Sequence, residues 1–361
     1  TTTAGTSNFR AGVNAGNSIT SGGNYNVTVG DEAGTAITTG DRNAIVGYAA
    51  GDALTEGGSN VSVGYLSLTA DTKGSRSVAV GDLALTSQNF TSATNALNTA
   101  VGYAAGYAVS TGTENTLIGA SAGGAVTTGA QNTLIGTYAG DALTTGNNNV
   151  AVGVNSLTTD TLGDRNVAVG VAALSTQNFT STTDSYNTAV GYAAGGVVTT
   201  GVGNTLMGGL AGDALTDADH NVAVGLQALT TDTLGSRSTA IGRSALGAQN
   251  FTSATDTYNV AVGYDAGVQI TTGIRNTLVG GASGDSITDA DYNVAIGMNT
   301  LSANTVGSRN TAVGYTALSA VNPASATDTY NTAVGYVAGN AVSTGVRNTF
   351  VGGLAGDSTD D

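Results

Sequence analysis

The sequence predicts an all-β protein built as a parallel β-roll or β-solenoid of about 19–20 coils. The prediction follows from one recurring block, seen in clean form as Asn98-Thr99-Ala100-Val101-Gly102. The block returns at a fixed short period, its residues alternate with a period of two, and its second and fourth places favour β-branched Thr, Val and Ile. One unit of such a repeat cannot bury its apolar face alone, so successive units stack.

The repeat has a second, longer period. Successive block positions differ by 17, except in four steps where they differ by 21. Three short steps and one long step make a super-repeat with a period of 72, as from Asn187 to Asn259 and on to Asn331. An extra coil at Asn132 interrupts this register. The nineteen blocks begin at Asn26, Asn43, Asn60, Ser77, Asn98, Asn115, Asn132, Asn149, Asn166, Asn187, Asn204, Asn221, Ser238, Asn259, Asn276, Asn293, Asn310, Asn331 and Asn348.

Each coil is expected to contain two short strands and two turns. Val150 and Val152 are predicted to point into the coil, and the small residue between them is predicted to point outward. A second strand is expected where an apolar pair precedes hydroxyl residues and glycine, as in residues 142–146. Outward alanines would then line a subunit interface in a side-by-side homotrimer, at Ala151, Ala168, Ala189 and Ala223.

The asparagine that opens most blocks is predicted to be structural. Asparagine accepts left-handed backbone geometry and can bond to the asparagine of the next coil in a ladder. The predicted ladder includes Asn98, Asn115, Asn132, Asn149, Asn166, Asn187, Asn204 and Asn221.

The unbroken period predicts one elongated body. We expect residues 1–25 to form an N-terminal lead-in segment or an atypical first coil, and residues 26–361 to form a continuous solenoid. Thr1 opens no signal-peptide pattern, which leaves open a removed leader, a virion part or a fragment. No polar cap is evident at either end, so end-to-end joining into a filament is also open.

Composition narrows the function classes. The net charge of −15 disfavours nucleic acid and anionic membranes as partners. No apolar run of about 18 residues exists that could span a bilayer. One histidine, three glutamates and no cysteine leave little material for catalysis, and we expect no enzyme activity and no cofactor.

The four extra residues of each long step predict loops on one side of the stack. Three of these loops carry an aromatic residue, Phe90, Phe179 or Phe251, and the fourth carries Pro323. Apolar side chains at loop tips are unusual unless they are buried or used in recognition. These four residues are therefore the predicted contacts with a partner or receptor, and the alternative is that the rings fold back onto the coil.

Blocks such as residues 166–170 (Asn-Val-Ala-Val-Gly) resemble the head repeats of trimeric autotransporter adhesins. Residues 187–195 (Asn-Thr-Ala-Val-Gly-Tyr-Ala-Ala-Gly) look still more like the repeats of phage and bacterial tail-fibre proteins. The resemblance covers about residues 8–356. It implies a left-handed parallel β-roll with three chains side by side.

Acidic pairs are the one pattern that suggests chemistry. Asp217 and Asp219 beside His220 could serve a polysaccharide-cleaving spike, yet Asp289 and Asp291 repeat the pair with tyrosine in place of the histidine. The same pairs begin like a calcium loop but lack its glycine and distal glutamate. Turn acids exposed to water are the default interpretation, with calcium as the only ion suggested.

Two surface columns suggest other functions. Tyrosines that follow the block glycine, as at Tyr192 and Tyr264, could stack on sugars or pack against the next coil. Thr-Thr-Gly columns resemble the arrays of ice-binding solenoids, although two kinds of coil interrupt them. The threonines concerned are Thr127, Thr144, Thr199 and Thr271.

The sequence as a whole predicts a non-enzymatic extracellular fibre, either a phage tail fibre or a cell-surface adhesin. Its expected location is extracellular, on a cell surface or on a virion. Repeated loops would attach it through many weak contacts to a cell-surface or glycan receptor. A self-assembling filament is the alternative, and a polysaccharide-cleaving spike or an ice-binding solenoid is less favoured.

Overall fold

Short parallel β-strands, with one strand of three residues in each coil, form the protein in the computed structural model, which describes residues 5–358. The described residues contain no helix, and so none that could cross a membrane. The predicted all-β solenoid, with a spacing of about 17 residues, is confirmed. Its coils fall into two compact units, Thr1–Ser185 and Tyr186–Asp361.

The first unit contains strands of three residues that stack in parallel, and strands of two residues that pair each long coil with the coil before it. They are β1 Phe9–Ala11, β2 Val27–Val29, β3 Ala44–Val46, β4 Val61–Val63, β5 Gly74–Ser75, β6 Val78–Val80, β7 Thr94–Asn95, β8 Thr99–Val101, β9 Thr116–Ile118, β10 Thr133–Ile135, β11 Val150–Val152, β12 Gly163–Asp164, β13 Val167–Val169 and β14 Thr183–Asp184.

The second unit repeats this organisation. Its strands are β15 Thr188–Val190, β16 Thr205–Met207, β17 Val222–Val224, β18 Gly235–Ser236, β19 Thr239–Ile241, β20 Thr255–Asp256, β21 Val260–Val262, β22 Thr277–Val279, β23 Val294–Ile296, β24 Gly307–Ser308, β25 Thr311–Val313, β26 Thr327–Asp328, β27 Thr332–Val334 and β28 Thr349–Val351.

The strands pair in strict register. Within the first unit Ala100 of β8 lies opposite Leu117 of β9, one period later. Each insertion adds a small second ladder, in which Gly74 of β5 lies opposite Thr94 of β7. The inserted residues therefore extend the coil with a paired edge as well as a loop.

The predicted orientation of the strand residues is wrong. Ala151 is fully buried, whereas Val150 and Val152 are partly exposed. The same holds for Ala168, Ala189 and Ala223, so these alanines cannot line a subunit interface. Alternation along a strand defines two faces but does not say which face is inside.

A narrow interior explains why the small residue points inward. The core of a coil is filled from the middle of the strand and from two later places. In the coil of Gly51 the large side chains are Ile45 on the strand and Leu54, whose Cδ1 atoms would lie 2.9 and 3.0 Å from a Cβ on Gly51. In other coils Leu157 takes the glycine position, with φ of 50° and no exposed surface. The strand residue is then small, as Ala151 is, because the leucine leaves little room for it.

The glycine that closes each block stacks directly on the next one. Gly153 has φ of 139°, and a Cβ there would lie 2.4 Å from the carbonyl oxygen of Gly170. No side chain can occupy this position, because both the backbone conformation and the neighbouring coil exclude it.

The predicted second strand of each coil is also wrong. Residues 142–146 form turns and bends. Successive coils are joined here by single backbone hydrogen bonds, such as the Thr144 N–H to the Thr161 oxygen at 2.9 Å. The hydroxyl of Thr144 donates to the same oxygen at 3.0 Å.

The asparagines of successive blocks form a buried ladder in each unit. The Oδ1 of Asn98 accepts the backbone N–H of Asn115 at 2.9 Å and its side-chain Nδ2 at 3.2 Å. The Nδ2 of Asn115 also donates to the carbonyl of Gly129 at 2.9 Å. Each buried amide therefore satisfies backbone groups that water cannot reach. The same pattern recurs at Asn132, Asn149, Asn204, Asn276 and Asn293.

Serine interrupts the ladder at Ser77, and a glutamine closes the gap. Gln88 donates to the Ser77 Oγ at 3.0 Å and accepts from Asn98 Nδ2 at 2.9 Å. Ser238 and Gln249 repeat the arrangement in the second unit. Serine is thus compatible with the ladder where a glutamine lies 11 residues after it.

Both described ends depart from the repeat. Asn8 begins an unpredicted block, since its Oδ1 accepts the backbone N–H of Asn26 at 2.8 Å. The central residue of its strand β1 is Arg10, which is exposed and donates to the carbonyl of Gly16 at 2.9 Å. At the other end Phe350 takes the central place of β28. Arg10 therefore places a charge where most coils carry alanine, leucine or isoleucine.

Replacing a ladder asparagine by serine should depend on a nearby glutamine. Asn149→Ser should lower the free energy of unfolding by about 3 kcal/mol, because the N–H of Asn166 and the carbonyl of Gly163 lose buried partners. Asn166→Ser should cost at least about 1 kcal/mol less, because Gln177 and Ser185 are available to bond the substituted side chain. They hold the same places in the repeat as Gln249 and Thr257, which surround Ser238. Urea unfolding followed by circular dichroism measures both; equal losses would contradict this account.

Candidate functional site

The insertion loops hold the residues predicted to contact a partner, and their aromatic rings are buried. Phe90, Phe179 and Phe251 are only 5–7% exposed. Pro323, in the fourth loop, is also buried. The rings therefore fold back onto the coil and offer no surface to a partner. The exposed loop tips consist of small residues, such as residues 91–93.

A buried acid and a buried glutamine hold each aromatic loop. Gln88 Nε2 donates to Asp71 Oδ2 at 2.6 Å, and the backbone N–H of Phe90 donates to Asp71 Oδ1 at 3.1 Å. Asp160 and Gln177 form the same contact at 2.6 Å. The acid and the glutamine each occupy, in their own coil, the core position that Leu54 fills in the coil of Asn43. The acid and the glutamine are separated by one coil period in the sequence. This spacing could have indicated that they support the loop, but neither residue was predicted to do so.

The last super-repeat changes the pair and the loop together. Asn304 replaces the acid, Val321 replaces the glutamine and Pro323 replaces the phenylalanine. The Asn304 side chain bonds the Gly307 backbone through both of its polar atoms, at 2.7 and 2.8 Å. An uncharged side chain can therefore support the turn when no glutamine faces it.

The arginines before the blocks pair with acids of the inserted strands. Arg237 and Arg309 lie 3.0 Å from Asp256 and Asp328, respectively. The guanidinium of Arg309 also lies over the ring of Tyr292 at 4.8 Å from its centroid. These contacts are exposed to solvent, so each contributes little to the free energy of folding.

The four acids considered for calcium or catalysis are largely engaged with neighbouring coils. Asp219 Oδ1 accepts the backbone N–H of Val202 at 2.8 Å, and Asp291 Oδ1 accepts that of Ile274 at 2.8 Å. Asp217 accepts the hydroxyl of Thr200 at 2.5 Å.

The fourth acid, Asp289, accepts the hydroxyl of Thr288 at 3.1 Å. With Asp291 and Asp328 it lines an open groove of about 510 Å³. Among residues 5–358 no three acidic, histidine or cysteine side chains come together in a group that could hold a metal ion.

The threonine columns considered for ice binding are used within the chain. The hydroxyls of Thr127, Thr199 and Thr271 each donate to a carbonyl one coil later, at 3.0–3.2 Å. These donors point along the stack, so they are not free to order water on a flat face.

The tyrosines that follow the block glycines are among the most exposed large side chains of the repeat. Tyr103, Tyr192 and Tyr336 are each at least 60% exposed. Some stack on one another, as Tyr48 does on Tyr65 with ring centroids 5.6 Å apart. Of the surfaces predicted for recognition, this column remains accessible in the described chain.

No protein-family model, curated protein or solved structure matches this chain.

Replacing the buried pair of Asp160 and Gln177 should remove part of the pH dependence of the free energy of unfolding. Burial raises the pKa of Asp160 above its ordinary value of 3.8, although hydrogen bonds from Gln177 and Gly163 oppose the shift. Protonated Asp160 therefore stabilises the fold at low pH, and this contribution is lost as the pH rises through the raised pKa. Asp160→Asn with Gln177→Val, which copies the last super-repeat, should flatten this part of the curve.

The measurement is the free energy of unfolding against pH for the wild type, the double variant and the exposed control Asp357→Asn. The difference between wild type and double variant should grow in favour of the variant as the pH rises from about 4 to neutrality. A difference that does not change with pH would contradict the assigned cause.

Proposed function

We propose that this chain is a non-enzymatic extracellular fibre protein, the shaft or head of a phage tail fibre or of a cell-surface adhesin. Support comes from the way the coils are joined. Buried asparagines and backbone ladders connect each coil to the next, as from Asn98 to Asn115. Such continuous bonding suits a stiff, protease-resistant element better than a catalytic cleft.

The observation that carries the proposal is the apolar outer face of the strands. The fourth place of each of the nineteen blocks points outward and holds Val, Ile or Met, whereas the second place holds Val, Ala or Thr. Many are well exposed, for example Met207 at 43%, Ile296 at 40% and Val334 at 38%. A contiguous apolar surface of this kind is rare on soluble monomers unless it binds a partner.

The partner proposed for this face is the same chain. Its fourth-place residues recur with the period of the coils, as Val262, Val279 and Ile296 do in register. Another copy presents the same period, so every row finds an apolar neighbour on the other chain. In the proposed homotrimer, the fourth-place residues of three chains face one another. They take the interface role that the sequence analysis expected of the strand alanines, such as Ala151.

End-to-end joining into a filament is the second candidate. Phe350 at the centre of the last strand is partly exposed, and β28 leaves one side of its backbone without a partner strand in the described chain. Arg10 at the centre of β1 opposes this mode, because stacking would bury its charge. Lateral association is therefore the preferred form of self-assembly.

The location consistent with this function is extracellular, on a cell surface or on a virion. The net charge of −15 disfavours binding to nucleic acid and to anionic lipid. A cell-surface or glycan receptor would be held by many weak contacts that repeat along the chain.

Charges placed on the outer face should separate the chains. A variant with Val262→Glu, Val279→Glu and Ile296→Glu would bring like charges together in a homotrimer, whereas a monomer tolerates them in water. Light scattering coupled to size exclusion should give three times 35.1 kDa for the wild type and 35.1 kDa for the variant.

Ser253→Glu, at an exposed loop tip, is the control and should keep the wild-type mass. A wild-type chain of 35.1 kDa at every concentration tested would defeat the proposed trimer. Masses that rise without limit as the concentration rises would favour the filament instead.

A further inference from the structure

The residue after each block glycine forms a column just past the end of the strands, which we call the corner column. In the second unit it consists of Tyr192, Gly209, Leu226, Arg243, Tyr264, Gly281, Met298, Tyr315, Tyr336 and Gly353. A tyrosine followed one coil later by glycine recurs once in every super-repeat of this unit. Tyr264 and Tyr336 are 55% and 60% exposed.

The tyrosine rings lie across the stack, with their faces toward the neighbouring coils. Tyr336 stacks on Tyr315, with centroids 5.5 Å apart and ring planes 12° apart. Arg243 lies over Tyr264 at 5.3 Å from the ring centroid and donates to its hydroxyl at 2.7 Å. The preceding coil therefore covers one face of each ring, and the other face is turned toward Gly281 or Gly353.

Neither glycine has a structural reason to be glycine. A Cβ on Gly281 would meet nothing within 4 Å although further coils follow it, and Gly353 holds the same place one super-repeat later. Neither residue adopts the left-handed backbone that favours glycine. By contrast, the adjoining block glycine, Gly280, has φ of 137° and no room for a side chain. What Gly281 and Gly353 do is leave the second face of a tyrosine ring open.

The opening above Tyr264 has the height of one ring. Parallel strands lie about 4.8 Å apart, so Tyr264 and Met298, two coils apart, are separated by about 10 Å. A flat molecule between them would lie about 4–5 Å from each, close to van der Waals contact. Met298 is 55% exposed and can move to close on a ligand.

We propose that these tyrosine and glycine pairs are binding slots for the pyranose rings of a neutral glycan. The apolar face of a sugar ring would stack on the open face of Tyr264 or Tyr336. Asp265, next to Tyr264, supplies an acceptor for sugar hydroxyls. A strongly anionic glycan fits less well, because the chain carries a net charge of −15.

The slots repeat at a spacing suited to a polymer. Tyr264 and Tyr336 are four coils apart, or about 19 Å at the usual strand spacing. One glycan chain could therefore occupy both slots, and weak single contacts would sum to useful affinity. In the Tyr192 slot, the Leu226 Cδ1 would lie 3.5 Å from a Cβ on Gly209, so that slot is partly filled. The inference rests on the proposed attachment function and names its site.

Filling the slots should abolish glycan binding without disturbing the fold. The test compares the full chain with the double variant Gly281→Val and Gly353→Val in affinity electrophoresis through gels that contain glucan, mannan or galactan. We expect at least one polysaccharide to retard the wild type and the variant to lose about tenfold in affinity. Tyr264→Ala with Tyr336→Ala should have a similar effect.

Tyr292→Ala is the matched control, because Arg275 and Arg309 lie over this exposed ring at 5.3 and 4.8 Å from its centroid. It should bind as the wild type does. Binding that survives both slot variants, or no retardation by any of the three polysaccharides, would overturn the inference. Light scattering on the same samples keeps this outcome separate from the fibre proposal, which fails only if the wild type is monomeric.

Discussion

The ladder of buried asparagines is the interaction on which the rest of the structure depends. A single coil encloses too little volume to bury much apolar surface, and its turns leave backbone groups inside that water cannot reach. Asn115 shows how this is solved: one side chain bonds the asparagine of the preceding coil and the carbonyl of Gly129. Each coil is therefore complete only when its neighbour is present, which gives the chain its repeat.

The same constraint determines where variation is allowed. The interior accepts alanine, leucine or isoleucine on the strand, and the place of Leu54 takes either an apolar residue or a hydrogen-bonded acid or glutamine. Outside, the fourth place stays apolar, whereas the corner column changes from tyrosine to glycine, methionine and arginine. Self-association and recognition can thus use different rows of the same coil, and neither needs a change in the scaffold.

The sequence predicted the architecture because period and alternation are physical properties of the chain. Asn98 and its equivalents could be assigned to a ladder, since only a stacked fold brings residues one period apart together. The direction of Ala151 could not be assigned from hydropathy, because both faces of the strand carry apolar residues. A mixture of small and large residues at one place, as Ala100 and Leu117 show, is typical of a packed interior and could have indicated the answer.

The site was harder to predict than the fold. Phe90 looked like a surface contact because its buried partners, Asp71 and Gln88, lie in different coils and are polar. The block that begins at Asn8 was not counted among the nineteen because it precedes Asn26 by 18 residues, one more than the usual period, and contains phenylalanine and arginine. The open ring face of Tyr264 depends on what Gly281 lacks, and only atomic positions reveal that space.

The central claim is that the asparagine amides are buried and bonded from coil to coil. Hydrogen exchange of side-chain amides, measured by nuclear magnetic resonance on protein labelled with ¹⁵N at asparagine, tests it most directly. The Nδ2 protons of Asn115 and Asn149 should exchange orders of magnitude more slowly than those of the exposed Asn155 and Asn178. Equal exchange rates in the two groups would contradict the account.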